Sequence, residues 1–522
     1  MNTSSTVSPR RAGDPLPVRR VWAEEGAAVF DFGATYPVGE MRIDAGFLRE
    51  HADVAGGATL RLFHSLDNAV WTEAGTVSAT DGGAAIEKVA GADGAAPADA
   101  FPVRLNSALA RYVKVAVETA PSGGASVVSG AGVAGALTAP GRVRFAAGTG
   151  LAAEPDEAWT ALFHRRSGWT GSDGIYATAF DGCDAHGSAK GKKSVFVFGD
   201  TFVGEVDAAT DERIDPVMIN NTLAVLEGDE PDPERIRFVW NESADGKPQS
   251  AIVPRTPKAL AVEGSYYWLQ DCASIGGNFY CFPLIVGPNP DGPEGFQFAV
   301  HGIVMVTAPM GEDGPDLSAQ RQMDTPLYYT AANGRTTYFG AALFPNTAAA
   351  GAPEPDGYVY VYGLQNGGER PKLVAARVAE REIEDLSAWR FWNGAEWTTV
   401  KEDVAPVADI VSPELSVSPV TGGWLDGKYV LVFHQPSETG GTVSISTADS
   451  PVGPFGEPVR LFACDPFHKD AAVYNYNAKA HPHLSRPGEL LASYNVNCTS
   501  WDMLMKHASI YRPRFVNIRA IR

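Results

Sequence analysis

One pattern recurs through most of the chain: a strand that carries polar residues, a turn, then a strongly apolar strand of aromatic and β-branched residues. It occurs as GSDGIYATAF…SVFVFGD, YYWLQDCASIGGNFYCFPLIVG, TTYFGAALFPN…DGYVYVYGLQ, PELSVSPVTGGWLDGKYVLVFHQ and NAKAHPHLSRPGELLASYNVN. The apolar strands begin near Ser194, Asn278, Gly357, Lys428 and Glu489. A repeat of about 60 to 85 residues suits a four-stranded antiparallel unit with insertions, which buries its apolar faces only by stacking on its neighbours. Five copies predict an all-β chain whose C-terminal part, residues 141–522, is a five-bladed β-propeller. In such a ring the first strand of each blade lines a central funnel, which accounts for polar residues on otherwise apolar segments.

The N-terminal part has a different character. Short alternating runs such as AVFDFG, EMRIDAGF, TLRLFHS and RYVKVAVE are split by Gly, Asp and Asn turns, the pattern of a small β-sandwich over residues 21–120. Residues 1–20 hold charge and proline and read as a flexible tail. The Gly/Ala/Ser-rich stretch from Pro121 to Pro140 has little to bury and reads as a linker.

Composition narrows the partners. The formal net charge is −20, so the clustered Lys and Arg that phosphate binding requires are missing, and neither nucleic acid nor an anionic membrane surface is an expected partner. The first twenty residues lack the apolar run of a signal peptide, so the sequence as written reads as cytoplasmic, or as secreted if a leader was trimmed. Five cysteines without C-x-x-C spacing read as buried small hydrophobes.

Several polar residues fall on the proposed funnel strands: Asp173, Asp271, Glu414 and the group Asn477, Lys479 and His481, which a two-residue period places on one strand face. Asp200 ends the run SVFVFG at a strand tip. Asp173 and Asp200 also have a plainer reading as turn residues bonded to their own backbone, Asp271 has one as a structural residue, and Pro413 before Glu414 reads as a strand start. Asn220 and Asn221 offer amides to hydroxyl groups, or cap a turn. Trp268 is a stacking platform or a core aromatic. His481 and His483 form an H-x-H pair without third and fourth ligands at recognisable spacing, so no metal centre and no cofactor is expected beyond a structural cation in the funnel or in the N-terminal module.

Two resemblances sharpen this reading. DFGATYPVGEMRI, LRLFHSLDNAVWTEAG (with Ser65, Asp67 and Trp71) and ARYVKVAVE resemble the discoidin, or coagulation factor type C, jelly roll, a fold widely used to bind carbohydrate. GSDGIYATAF, FGDTFVG followed by NNT, YYWLQDC, TADSPVGPF and YNAKAHPHLS…LLASYNVN resemble five-bladed propeller glycosidases, most closely a group related to endo-D-arabinanases. That likeness places an acidic pair on the first two strands of blade 1, here Asp173 and Asp200, and Glu414 at a position from which related propellers present a carboxylate.

Glycoside hydrolysis needs one protonated carboxyl group to donate to the leaving oxygen and one ionised group as base or nucleophile. The catalytic candidates are therefore Asp173, Asp200, Asp271 and Glu414, and the substrate-binding candidates are Asn220, Asn221, Trp268, Asn477, Lys479 and His481. The expected activity is hydrolysis of a neutral, furanose-containing (D-arabinofuranosyl) glycan. The alternatives are a carbohydrate-binding protein without catalysis and a polysaccharide lyase; the lyase needs a cationic sink for a uronate that this acidic chain does not supply.

Overall fold

The computed structural model describes residues 11–44, 47, 59–69, 71–78, 100–118, 130–140, 142–147, 150–293, 297–436, 441–464 and 472–521. Nearly all regular structure is β. The chain divides into two compact units, the first comprising residues 1–154, 461–465 and 518–522, the second residues 155–460 and 466–517.

In the first unit, β1 (Arg20–Glu24), β2 (Ala27–Asp44), β3 (Thr59–Ser65), β4 (Thr72–Ser78), β5 (Ala100–Glu118), β6 (Val143–Ala147) and β7 (Gly150–Pro155) form one hydrogen-bonded sheet among the described residues. Its order is β7–β2–β5–β3–β4, with β1 and β6 also on β2. Phe30, Phe32, Met41, Ile43, Leu62 and Val115 form its core. Arg111 and Asp31 make a buried ion pair at 3.2 Å.

Two segments differ from expectation. Of the proposed linker, residues 121–129 lie outside the described residues, but α1 (Gly130–Leu137) is helical and buries Ala134 and Leu137 in this core. A run of Ala and Gly carries small side chains that let a helix pack closely, and the same composition reads as a linker when tertiary contacts are not known. Of the proposed tail, residues 1–10 lie outside the described residues, while Leu16 is buried and its N–H donates to Phe145.

The second unit opens with α2 (Glu157–Leu162), capped by the Asp156 carboxylate on the Trp159 N–H. Five antiparallel sheets follow. The first holds β8 (Ser167–Ala179), β9 (Lys193–Val206), β10 (Arg213–Ile219), β11 (Thr222–Glu227) and β12 (Ile236–Val239), with β8 on one edge of β9 and both β10 and β11 on the other. A small hairpin, β13 (Asn241–Glu242) and β14 (Pro248–Gln249), and the helical turn α3 (Pro257–Leu260) lead to the second sheet. That sheet comprises β15 (Tyr266–Trp268), β16 (Cys272–Ile275), β17 (Asn278–Cys281), β18 (Leu284–Pro288), β19 (Phe298–Gly311), β20 (Gly314–Pro315) and β21 (Arg321–Asp324).

The third sheet comprises β22 (Tyr328–Thr330), β23 (Thr336–Asn346), β24 (Tyr358–Asn366), β25 (Lys372–Ala379), β26 (Arg390–Trp392), β27 (Trp397–Thr398) and β28 (Pro406–Ala408). The fourth is β29 (Leu415–Val420), β30 (Lys428–Gln435), β31 (Thr442–Ala448) and β32 (Val459–Ala463). In the last, β33 (Val473–Ala480), β34 (Glu489–Cys498) and β35 (Pro513–Ile521) are joined through α4 (Trp501–Lys506). One strand of each sheet adjoins one of the next in the order β8, β16, β23, β29, β33, and β33 returns to β8, so the sheets close a ring.

The apolar runs have a direct physical reason. In β9, Val195 and Val197 pack toward the second sheet while Phe196 and Phe198 pack the opposite way, and all four are essentially inaccessible. Likewise in β24, Val359 and Val361 join one core and Tyr360 and Tyr362 the next. A strand packed on both faces needs apolar residues at every position rather than at alternate ones. The five cysteines are all free, and all but Cys183 are buried.

Candidate active site

The first sheet brings two carboxylates together. Ser172 of β8 pairs with Thr201 of β9, and Gly174 pairs with Phe198, so Asp173 lies opposite Gly199 and Asp200. The register of this pair breaks three times, between Trp169 and Gly171, Ser172 and Gly174, and Gly174 and Tyr176. Bulges of this kind bend a strand and re-aim its side chains. Ile175, a buried β-branched residue, sits at φ 102°, in a region such residues avoid. Gly199 permits the approach, because a Cβ there would meet the Asp173 Oδ1 at 2.4 Å.

The donors around the two groups differ. Tyr476 Oη donates to Asp173 Oδ2 at 3.0 Å and accepts from Asn497 Nδ2 at 3.1 Å, and Tyr511 adds a second side-chain hydrogen bond to Asp173. Asp200 Oδ1 accepts from Trp268 Nε1 at 3.0 Å and from Asn220 Nδ2 at 3.1 Å. Burial, and then the neighbouring charges of Asp200 and Glu414, push the Asp173 carboxyl well above the usual carboxylate range. Burial pushes Asp200 up to about 6, against the pull of its Asn220 and Trp268 donors. Two nearby carboxyl groups with different donors therefore hold their protons differently, which separates an acid from a base.

Glu414 precedes β29 and is already engaged. Asn477 Nδ2 donates to its Oε1 at 2.9 Å, and Lys479 Nζ, fully buried, donates to its Oε2. The same ammonium stands 4.2 Å from the centre of the Tyr176 ring. Asn477 adopts φ 60° at a register break in β33, and that break lets Asn477 and Lys479 reach one carboxylate.

Other sequence candidates go elsewhere. Asp271 accepts from the N–H of Cys272 at 2.8 Å and of Leu343 at 2.7 Å, tying the second sheet to the third, and burial pushes it up to about 8. Asn221 is buried and spends its amide on Ile252 and Tyr267. His481 falls just beyond β33; its Nε2 bonds Ser493 and its ring packs beside Phe196 and Phe515, so it does not share the face of Asn477 and Lys479. The reason is geometric: a strict two-residue period fails where the strand bulges and then ends. His483 Nδ1 lies 3.5 Å from Asp184 instead. Among the described residues no three His, Cys, Asp or Glu side chains are grouped as metal ligands.

A cavity of about 70 Å³ lies toward the β8–β9 hairpin, lined by Tyr176, Asp184, Asp271, Ser416 and His483. Neither Asp173 nor Asp200 borders it. Tyr511 and Asn497 were not foreseen from the sequence. The segment bearing Tyr511 is held by buried Arg213, which donates to the carbonyls of Leu504, Ala508 at 3.2 Å and Ile510 at 2.9 Å. Nothing local in the sequence marks that clamp; for Tyr476 the alternation in YNYN was the available signal.

The sequence profile described as "Domain of unknown function (DUF5005)" matches residues 156–520, most of the chain. The chain belongs to the DUF5005 family. No curated protein matches it. The DUF5005 domain shares its fold with a candidate hydrolase from Bacteroides ovatus ATCC 8483, at 21% identity and a TM-score of 0.53, over 70% of this chain and 90% of that one. Weaker likenesses are to a thermostable family-43 glycoside hydrolase (13% identity, TM-score 0.32, 66% and 89% of the two chains) and to an α-L-arabinofuranosidase from Clostridium thermocellum ATCC 27405 (13%, 0.33, 65% and 86%). At those TM-scores neither carries weight for the fold or the activity of the DUF5005 domain.

Proposed function

We propose that this DUF5005 protein is a glycoside hydrolase, its ring of five sheets a five-bladed propeller and its acidic pair Asp173 and Asp200. The observation that carries the reading is the contrast between the three grouped carboxylates. Glu414 is neutralised by Lys479, whereas Asp173 and Asp200 have only uncharged donors and different proton affinities. In this reading Asp173 is the acid, giving its proton to the glycosidic oxygen as the bond to the anomeric carbon breaks. Asp200, ionised at neutral pH, serves the anomeric carbon as nucleophile, or as base for the attacking water. Asn220 and Trp268 hold its carboxylate in place.

The substrate is read as a neutral glycan, because Lys479, the ammonium grouped with these carboxylates, is already spent on Glu414. The narrower choice, a furanose-containing and specifically D-arabinofuranosyl glycan, rests on the sequence resemblance alone, as does a carbohydrate-binding discoidin-like role for the N-terminal unit. The test is release of sugar from a panel of aryl glycosides and cell-wall polysaccharides. Asp173→Asn and Asp200→Asn are each expected to lower kcat by a factor on the order of 10² to 10⁴ while the protein stays folded. Full activity in both variants would end the assignment of the pair.

A further inference from the structure

Nine large apolar side chains stand exposed among the described residues, and four of them fall on two adjoining elements: Ile214, Val217 and Met218 on β10, and Trp501 at the start of α4. Scattered exposed hydrophobics are ordinary, whereas a gathered set marks a surface that binds something. Trp501 is 57% exposed and is the single aromatic among these nine. Its ring rests 5.6 Å from that of Phe202, which is fully buried, and Phe202 lies 5.3 Å from Tyr511. Tyr511 bonds Asp173, and Phe202 stands two residues beyond Asp200 on β9. Met218 pairs with Phe202 and so stands on the face of the sheet where the Phe202 ring meets Trp501 and Tyr511, whereas Val217 pairs with Val203 and Ile214 with Glu205, on the opposite face. The charged residues on and beside these two elements are Glu212, Asp215 and Asp502, with Lys506 bonded to Asp502 at 2.8 Å and the buried Arg213 against the Phe202 ring.

We infer that Trp501, with Met218 on the same face of the sheet, is a binding platform for further residues of a neutral glycan chain whose scissile bond lies at Asp173 and Asp200. The inference rests on the glycosidase reading and extends it from the cleaved bond to the length of the substrate. The apolar C–H faces of a sugar ring stack on an exposed indole, while its hydroxyls keep their water at the edge. The acidic surroundings disfavour a uronate chain, a phosphate or an anionic lipid surface. Arg213 places the platform, since it fixes the segment after Trp501 and also packs 4.6 Å from the Phe202 ring centre.

The test compares the full chain with Trp501→Ala, Trp501→Phe and, as a second variant, Met218→Ser. Affinity electrophoresis through gels containing arabinan, arabinoxylan, mixed-linkage β-glucan or galactomannan gives equilibrium binding without turnover. Retardation by at least one of these glycans is expected to weaken about five- to tenfold in Trp501→Ala and to be largely kept in Trp501→Phe. On an oligosaccharide series from any glycan that is cleaved, the gain in kcat/KM with chain length should shrink by the same factor, through KM more than kcat. Glycan binding that depends on Trp501 in a protein with no turnover would leave the platform standing and remove the hydrolase. Turnover with an unchanged length dependence would do the opposite. Absence of retardation by every glycan overturns the platform, as does a concentration-dependent dimer that Trp501→Ala abolishes, since the patch would then serve a second copy of the chain.

Discussion

Replacing Trp268 by Phe removes one hydrogen-bond donor from Asp200 and little else, because the ring that remains can keep its packing against Phe298 at 4.6 Å and Tyr266 at 6.0 Å. The lost bond runs to an ionised group, and such bonds contribute about 1.5 to 3 kcal/mol. Trp268 is partly exposed, so water takes over some of the loss and the low end applies. About 1.4 kcal/mol corresponds to one pH unit. The bond favours the ionised form, so its removal raises the Asp200 pKa, from about 6 toward about 7. Activity that needs ionised Asp200 then falls roughly fivefold at pH 6 and by only about a tenth at pH 8. The assay is kcat/KM against pH for wild type, Trp268→Phe and Asn220→Ala on one aryl glycoside. Both variants should move the acidic limb to higher pH and leave the basic limb, set by Asp173, largely in place. An acidic limb that stays put in both would show that Asp200 is not the group that must ionise.

The same linkage bears on stability. Folded Asp200 keeps its proton up to about pH 6, above its unfolded value near 3.8, so its contribution is present at low pH and lost as the pH rises through that window. Asp200→Asn should therefore be more stable than wild type at pH 8, by up to about 3 kcal/mol, with the difference vanishing near pH 4; calorimetry at both pH values checks this. Lys479→Met leaves Glu414 without its cation, and with the Glu414 side chain 22% exposed the cost should be about 2 to 4 kcal/mol in urea unfolding. Most of it should return in the double variant Glu414→Gln, Lys479→Met, and a double variant as unstable as the single one would refute the pairing argument.

What could be read along the chain was what depends on near neighbours. SVFVFG, YVYVY and YVLVF have no polar alternation because both of their faces are covered, and that requirement is visible in six residues. Asp173 in GSDG and Asp200 at the end of SVFVFG were likewise visible as carboxylates on, or at the tip of, otherwise apolar strands. Facing is a different matter. Asn220 and Asn221 are adjacent, yet one bonds Asp200 and the other is consumed by backbone carbonyls, and composition is the same for either choice. His481 has the spacing of Lys479 and Asn477 but lies past the bulge and the strand end that redirect it.

The donors to Asp173 needed the closed ring. Tyr476 lies 303 residues from Asp173 in sequence and reaches it only because β33 returns to β8, while Tyr511 arrives on a segment held by Arg213. Local periodicity records which residues are buried, since burial acts on each strand separately. Which carboxyl keeps its proton depends on groups brought together by ring closure, and a one-dimensional pattern holds no term for charges and donors that meet only when the last sheet packs against the first.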